Sequence, residues 1–262
     1  MDARELLAVA EAVCDDAERM FLAGVGSDPA AMKSPGDFAT EVDLAIEAYL
    51  RQTLTQFTGI PVLGEEAGGS YNHEAVWIVD PIDGTANYAA GNPMCSILIS
   101  LVVDDRPVAA VTSMPLLHRR VTAFEGSPVM VNGRAMKPLS EVDQLVAQVG
   151  FSSVASQQRS QFPSLLRQGL LSELAETYLR PRITGSVGVD LAFAAQGIFG
   201  GAVSFSPHVW DNAAGVMLVR AAGGVVTDIE GNDWTPSSVG VVAGTARAHA
   251  AIMSTMDAIL NS

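Results

Sequence analysis

The sequence predicts a layered α/β or α+β sandwich. Three observations carry that expectation. Two amphipathic helix patterns occupy the first sixty residues, β-rich segments separated by tight-turn signals run from Met94 to Gly133, and from Gly185 onward helices alternate with short strands. With 262 residues, 48% of them hydrophobic and 17% charged, the chain has ample material for a buried core. No internal repeat or low-complexity tract interrupts it. The net charge of −14 argues against nucleic acid or an anionic membrane surface as partner, because both reward clustered Lys and Arg. The apolar run from Ile97 to Val103 stops at Asp104-Asp105, well short of the roughly eighteen residues of a membrane span. Asp2, Arg4 and Glu5 precede any apolar run, unlike a secretory leader, so a cytoplasmic protein is expected. Cys14 and Cys95 fit neither a disulfide framework nor a metal knuckle and read as reduced core residues.

Taken in order, Leu6, Val9, Ala10, Val13, Ala17, Met20 and Phe21 recur at helical spacing and predict a helix over about 3–23, ended by Gly24 and Gly26. A loop through Pro29 and Pro35 follows. Thr40, with Asp43 three residues on, has the form of a capping box opening a second helix through Phe57. Residues 59–64 read as a short strand delivering Glu65-Glu66 to a glycine-containing loop, and Trp77 to Val79 as the tail of another delivering Asp80. Cys95–Val103 and Pro107–Thr112 form a hairpin around Asp104-Asp105-Arg106, and Arg119–Phe124 and Pro128–Val131 continue the antiparallel meander to the turn Asn132-Gly133. Between 140 and 180 the pattern supports only a strand near Leu145–Val149 and a helix around Phe162–Leu171. Val187–Ala195 is apolar nearly all round and predicts a buried helix. A strand at Gly200–Phe205, a helix from Trp210 to Ala222, strands at Val225–Asp228 and Val239–Ala243, and a helix over Ala246–Leu260 complete the chain.

The chemistry is concentrated in Asp80-Pro81-Ile82-Asp83-Gly84-Thr85, where an apolar run ends in two aspartates. Pro81 cannot donate to a ladder and Gly84 permits a tight turn, so both acids sit where a strand opens into a loop. Carboxylates that close raise each other's pKa unless a cation lies between them. A divalent metal satisfies that requirement; a solvated acidic turn is the alternative. The second strand ending in acids, at Glu65-Glu66, favours a shared metal site.

Gly64-Glu65-Glu66, Asp80-Pro81-Ile82-Asp83-Gly84-Thr85 and Trp210-Asp211-Asn212-Ala213-Ala214-Gly215, in that order, resemble the motifs of the inositol monophosphatase family. Asp37-Phe38-Ala39-Thr40-Glu41-Val42-Asp43 is similar to the family's N-terminal acidic motif and Gly185-Ser186 to its substrate loop. The resemblance runs from about Lys33 to Gly224 and is nearest to the actinobacterial, mycobacterial-type members over Asp37–Glu47 and His208–Asp228. It implies one domain over 1–262 with the αβαβα sandwich shared with fructose-1,6-bisphosphatase, sub-region 1–140 carrying most metal ligands and 141–262 completing the site. It also implies a homodimer, lithium inhibition and hydrolysis of a small phosphorylated polyol or sugar with roughly two or three Mg²⁺ ions per active site. By the same resemblance Glu65, Asp80 and the Ile82 carbonyl hold one metal, Asp80 bridges to a second held by Asp83 and Asp211, and Asp43 lies at an outer position. All are hard oxygen donors of the kind Mg²⁺ takes. Glu65 and Thr85 orient or deprotonate the attacking water, with Asp80 the third catalytic group. Asp83, Gly84, Thr85, Gly185, Ser186, Val187, Ser204, His208 and Asp211 contact substrate.

One position departs from the family pattern. Seven residues before Asp211, animal and many bacterial relatives place a glutamate on the inositol ring; this chain has Ser204. Hydroxyl recognition then falls to Ser204, Ser206 or His208, or the substrate is another monoester, as in fructose-1,6-bisphosphatase or histidinol-phosphatase. A non-catalytic metal- and phosphate-binding regulator is the third reading, and the complete catalytic set, Thr85 included, weighs against it.

Overall fold

The computed structural model describes residues 1–34, 37–141, 147–156, 160–176 and 179–260. Helix α1 (Ala3–Ala23) starts where Asp2 accepts the Glu5 N–H and Glu5 returns a bond to the Asp2 N–H. The stretch through Pro29 and Pro35, expected as loop, carries two paired strands, β1 (Pro29–Ser34) antiparallel to β2 (Asp37–Thr40). Its residues 29–33 are exposed and lack the in–out alternation that marks a strand, so the sequence carries no strand signal there. Thr40 caps α2 (Glu41–Thr58) with the reciprocal bonds of a capping box, Asp43 accepting the Thr40 N–H at 2.8 Å.

Seven strands follow: β3 (Val62–Gly64), β4 (Ala75–Asp83), then short helix α3 (Thr85–Ala89), β5 (Ser96–Val103), β6 (Arg106–Met114), β7 (Arg119–Phe124), β8 (Met130–Val131) and β9 (Arg134–Ala135). They form one sheet in sequence order, β3 parallel to β4 and all other pairs antiparallel. Asp104 and Asp105 (φ 48° and 61°) and Asn132-Gly133 (φ 48° and 75°) turn the hairpins in the left-handed conformation that matches sheet twist.

The second half builds β10 (Gln148–Phe151), α4 (Ser164–Glu176), β11 (Arg180–Ile183), α5 (Val187–Ala195), β12 (Gly201–Ser204), α6 (Val209–Ala221), β13 (Val225–Thr227), β14 (Val241–Gly244) and α7 (Ala246–Leu260). The strand expected at Leu145–Val149 starts three residues later and ends two residues later, and the first two residues of the expected range fall outside the described ones. Strand β11, mostly exposed, was not anticipated. The five strands take the order β11-β10-β12-β14-β13, with β10 parallel to both neighbours.

Alternation along the strands sorts the apolar side chains into three cores. Trp77 and Val79 face Phe21, Ile46 and Leu50 of α1 and α2. Val76 and Ile78 face the opposite way, into a core with Leu191 of α5, Val216 of α6 and Ala202 and Val241 of the second sheet. Val149, Val203 and Val242 face Leu170 of α4 and Ile252 of α7. The result is a five-layer α/β/α/β/α sandwich, and α5, apolar but for Asp190, is buried because it lies between the sheets.

The loop after β3 is bolted to α2. Glu47, buried on that helix, accepts the Glu66 and Ala67 N–H groups at 2.6 and 2.9 Å and pairs with Arg51 at 2.8 Å. Arg51 also donates to the Val62 and Gly68 carbonyls at 2.6 and 2.7 Å. A Cβ on Gly64 would come within 2.4 Å of the Glu47 carboxylate, so this approach requires glycine. Glu47→Ala removes one partner of a buried ion pair and orphans two amides; it should cost roughly 3–5 kcal/mol in a urea-unfolding experiment. A loss under about 1 kcal/mol would show that the loop is held some other way.

Candidate active site

Strand β4 does not end at Val79, as its Pro81 suggested, but runs on to Asp83. Asp80 pairs with Leu98 and Asp83 with Ser96, so Pro81 and Ile82 on β4 together oppose Ile97 alone on β5. This bulge absorbs the missing Pro81 N–H and resets the alternation. Ile82 joins Trp77 and Val79 in the core under α1 and α2, while Asp83 reaches the opposite face, toward α5. Without the bulge Asp80 and Asp83, three apart, would point to opposite faces of the sheet. Ile82 N–H donates to Asp80 Oδ1 at 3.0 Å and fixes that carboxyl group.

Asp211 arrives from the first turn of α6, and Glu65 from the loop bolted by Glu47. Burial, then the charges of Glu65, Asp83 and Asp211, push the Asp80 carboxyl well above the ordinary range. Burial, then Asp83 and Glu65, do the same to Asp211. Burial also takes Asp83 up to about 6, against the opposing hydrogen bonds from Ser186, Gly188 and Val187. These four acids, two on β4 and one each from the loop after β3 and from α6, therefore share one electrostatic environment.

Asp83 is the most fully engaged. Its carboxylate accepts hydrogen bonds from the Ser186 hydroxyl, the Gly188 N–H at 2.7 Å, and the Val187 N–H and Ser96 hydroxyl, both at 3.3 Å. It closes the N-terminus of α5, where negative charge is favoured. Gly188 permits this, since a Cβ there would lie 2.6 Å from Ser96 Oγ and 2.9 Å from Asp83 Oδ2. Gly84 (φ 86°) turns β4 into α3, whose first turn has no side-chain cap. Gly185 (φ 82°) lies alongside, its carbonyl near the space a Gly84 side chain would need.

Thr85 Oγ1 lies 3.1 Å from the Ile82 carbonyl and 3.3 Å from Asp43 Oδ1. Asp43 is buried, and burial, resisted by the Thr40 bonds, raises its pKa. It thus stands behind the Thr85 hydroxyl as well as capping α2.

Two expected substrate groups are placed differently from the rest. Ser204 is 1% exposed, and its hydroxyl accepts the Ser206 N–H at 3.2 Å, so it folds into its own turn. His208, N-cap of α6, stacks on Trp210 with ring centroids 4.6 Å apart. Asn212 holds that loop by donating to the Ser206 and His208 carbonyls at 3.0 and 2.9 Å.

Lys33 on β1 was not anticipated. Its ammonium lies 2.6 Å from both Glu65 and Glu66. Burial opposes its charge, but the bonds and charges of those glutamates raise its pKa overall. Glu66 is pushed by burial up to about 7 despite Lys33. The available signal was a single lysine in a chain with 15 cationic and 29 acidic residues, and the stretch carrying it was read as loop, with no element to aim it at Glu65. Among the described residues no three Asp, Glu, His or Cys side chains converge as a finished ligand set. Lys33 holds Glu65, and the α5 N-terminus holds Asp83. The donors nevertheless fit a hard divalent cation: oxygen only, buried, and short of positive charge.

The profile of the Inositol monophosphatase family matches residues 2–260. The probable inositol 1-monophosphatase ImpA of Mycobacterium tuberculosis is 48% identical over 255 residues, 97% of this chain and 94% of that protein. The inositol-1-monophosphatase ImpA of Mycolicibacterium smegmatis is 45% identical over 245 residues, 93% of this chain and 89% of that one. Among solved structures, the extragenic suppressor protein suhB of Bartonella henselae superposes with a TM-score of 0.87 at 24% identity, covering 96% of this chain and 98% of that one. The bulged acidic strand, its partners from three other elements and these matches together place the chain in the inositol monophosphatase family.

Proposed function

We propose that the protein is a Mg²⁺-dependent phosphomonoesterase that hydrolyses a myo-inositol monophosphate to inositol and phosphate. The observation that carries this reading is the set Glu65, Asp80, Asp83 and Asp211, mutually repelling, gathered around the buried pair Asp80 and Asp83, with the Lys33 ammonium against Glu65. Its similarity to the two mycobacterial proteins supports inositol phosphate as substrate. Glu65, Asp80, the Ile82 carbonyl, Asp83 and Asp211 would hold the cations. Bound Mg²⁺ would lower the pKa of water and neutralise charge on the phosphoryl oxygens.

The chain's own contribution is positioning and proton handling. The uncapped first turn of α3 offers backbone N–H groups to an anion, with Gly84 allowing close approach. Thr85 has one hydroxyl hydrogen and two acceptors, Ile82 O and Asp43 Oδ1. A water bound at Thr85 Oγ1 can pass its proton onward as Thr85 gives its own to Asp43, whose burial makes it a better base. Asp43 therefore serves proton transfer better than the outer metal position expected of it.

The burial of Ser204 supports a second reading, the same chemistry on a different monoester, since the position that reads the ring in many relatives has no exposed group here. Phosphate release from inositol, sugar and nucleotide monoesters with and without Mg²⁺ decides between them. Inositol 1-phosphate should be the best substrate; no turnover of any ester despite Mg²⁺ binding would reject both readings. Asp80→Asn should abolish turnover with the fold intact, and retained activity would remove Asp80 from the site.

Thr85→Ala and Asp43→Asn should each lower kcat on the order of 100-fold. Because they act as one unit, the double variant should lose little more. Additive losses in single-turnover kinetics would separate the two residues.

The raised carboxyl groups also set a pH dependence. Asp83 and Glu66 keep protons in the folded protein that the unfolded chain gives up near pH 4. The stability this contributes is full below about pH 4 and is lost as pH rises through about 6 and 7. The metal-free melting temperature should fall between about pH 4 and about pH 7, while the increment given by Mg²⁺ grows over the same interval, because the cation needs the ionised forms. A Mg²⁺ increment independent of pH, read by calorimetry, would contradict these assignments.

A further inference from the structure

One buried carboxyl group takes no part in the chemistry above. Asp190, in the first turn of α5, is 1% exposed. Its Oδ1 lies 2.8 Å from Thr184 Oγ1, and its Oδ2 has no hydrogen-bond partner. Gly150 of β10 leaves room for it, since a Cβ there would lie 2.7 Å from Asp190 Cγ and Oδ1. Thr184 Oγ1 is also 3.1 Å from the Ser186 carbonyl and accepts the Ser186 N–H at 3.3 Å. Two acceptors thus compete for a single Thr184 hydrogen.

As a carboxylate, Asp190 would take that hydrogen and leave its other oxygen charged, buried and bare. As a neutral acid it donates from Oδ1 to Thr184 Oγ1, Thr184 donates to the Ser186 carbonyl, and the bare Oδ2 is an uncharged carbonyl oxygen. Every hydrogen in the cluster then has one acceptor. An asparagine fits less well, because its amide brings a second hydrogen to a site with one acceptor.

We propose that Asp190 is an un-ionised carboxylic acid at neutral pH and the positioning residue for Thr184–Ser186, through which it sets the Ser186 hydroxyl on Asp83. Ser186 accepts the Val189 N–H at 3.1 Å and spends its one hydrogen on Asp83, so its orientation depends on the segment that Thr184 holds. Burial foremost, and the charge of Asp83, favour the protonated form. The positioning role rests on the reading of Asp83 as part of the phosphatase site.

The test is infrared difference spectroscopy of the full chain, saturated with Mg²⁺ so that the site acids are ionised, wild type against Asp190→Asn. The un-ionised carboxylic C=O band should be present near neutral pH in the wild type and absent from the variant; no difference band would overturn the protonation state. Asp190→Ala should weaken Mg²⁺ binding about tenfold by calorimetry, and Asp190→Asn should recover it to within about threefold. Should the alanine variant fail to fold, Thr184→Val tests the same link, and must weaken Mg²⁺ binding and shift the acid band through loss of its acceptor. Unchanged Mg²⁺ binding in Thr184→Val would overturn the positioning role. Absence of phosphatase activity in the wild type would sink the functional reading and leave the infrared and calorimetric results standing on their own.

Discussion

Keeping several carboxyl groups together and out of water is the constraint on which the rest of the site depends. Such groups repel one another and lose hydration, and either cost alone is enough to neutralise them. The fold answers with helix N-termini. Asp43 is in the first turn of α2, Asp211 in the first turn of α6, and Asp83 reaches across to the first N–H groups of α5. Three helices from two layers thus aim their positive ends at the acids they serve, and backbone donors replace lost water without importing a competing cation. Lys33, from β1, brings a full positive charge against Glu65 and Glu66.

This arrangement reconciles an anionic substrate with a chain of net charge −14. Fixed cations lining the pocket would pair with the acids and leave little field for a metal. Backbone dipoles support the carboxyl groups only partially, so their affinity for a divalent cation remains. The bulge in β4 is the geometric counterpart. It places Asp80 and Asp83 on one face and exports Ile82 to the apolar core on the other, so one strand supplies both acids and keeps its packing.

What the sequence disclosed follows the range of the interaction involved. The capping box at Thr40, the helix Val187–Ala195, the hairpin turns at 104–105 and 132–133 and the acidic motifs are local patterns, and they lie where they were read. Pro81 misled because a proline at the end of an apolar run reads as a stop, whereas the register of β5 turns it into a bulge. Glu47 looks like any solvated helix acid until the loop at Glu66 folds over it. Asp190 sits in an apolar helix without a partner nearer than Thr184, and only the packing of Gly150 against it reveals a carboxyl group with room for one hydrogen. In each case the deciding contact comes from another element, and one-dimensional periodicity does not carry it.

Ser204 marks the limit of reasoning by position. A serine in place of a ring-reading glutamate suggests a shorter contact to the same hydroxyl. Its hydroxyl instead closes the turn into Ser206, and Ser206, His208 and Asn212 carry that turn into the helix bearing Asp211. On the proposed function, the substitution exchanges a substrate contact for rigidity behind Asp211, a proposed metal ligand. Discrimination among esters would then shift to the α5 N-terminus, where Ser186 holds Asp83, and to the His208–Trp210 stack that precedes Asp211 in the chain. A flat aromatic pair and a row of backbone N–H groups select shape and hydroxyl orientation less strictly than a carboxylate does. On the proposed function, any strictness toward inositol would then have to come from the end of the site proposed to hold the phosphate, where Asp83 is fixed by four donors at once.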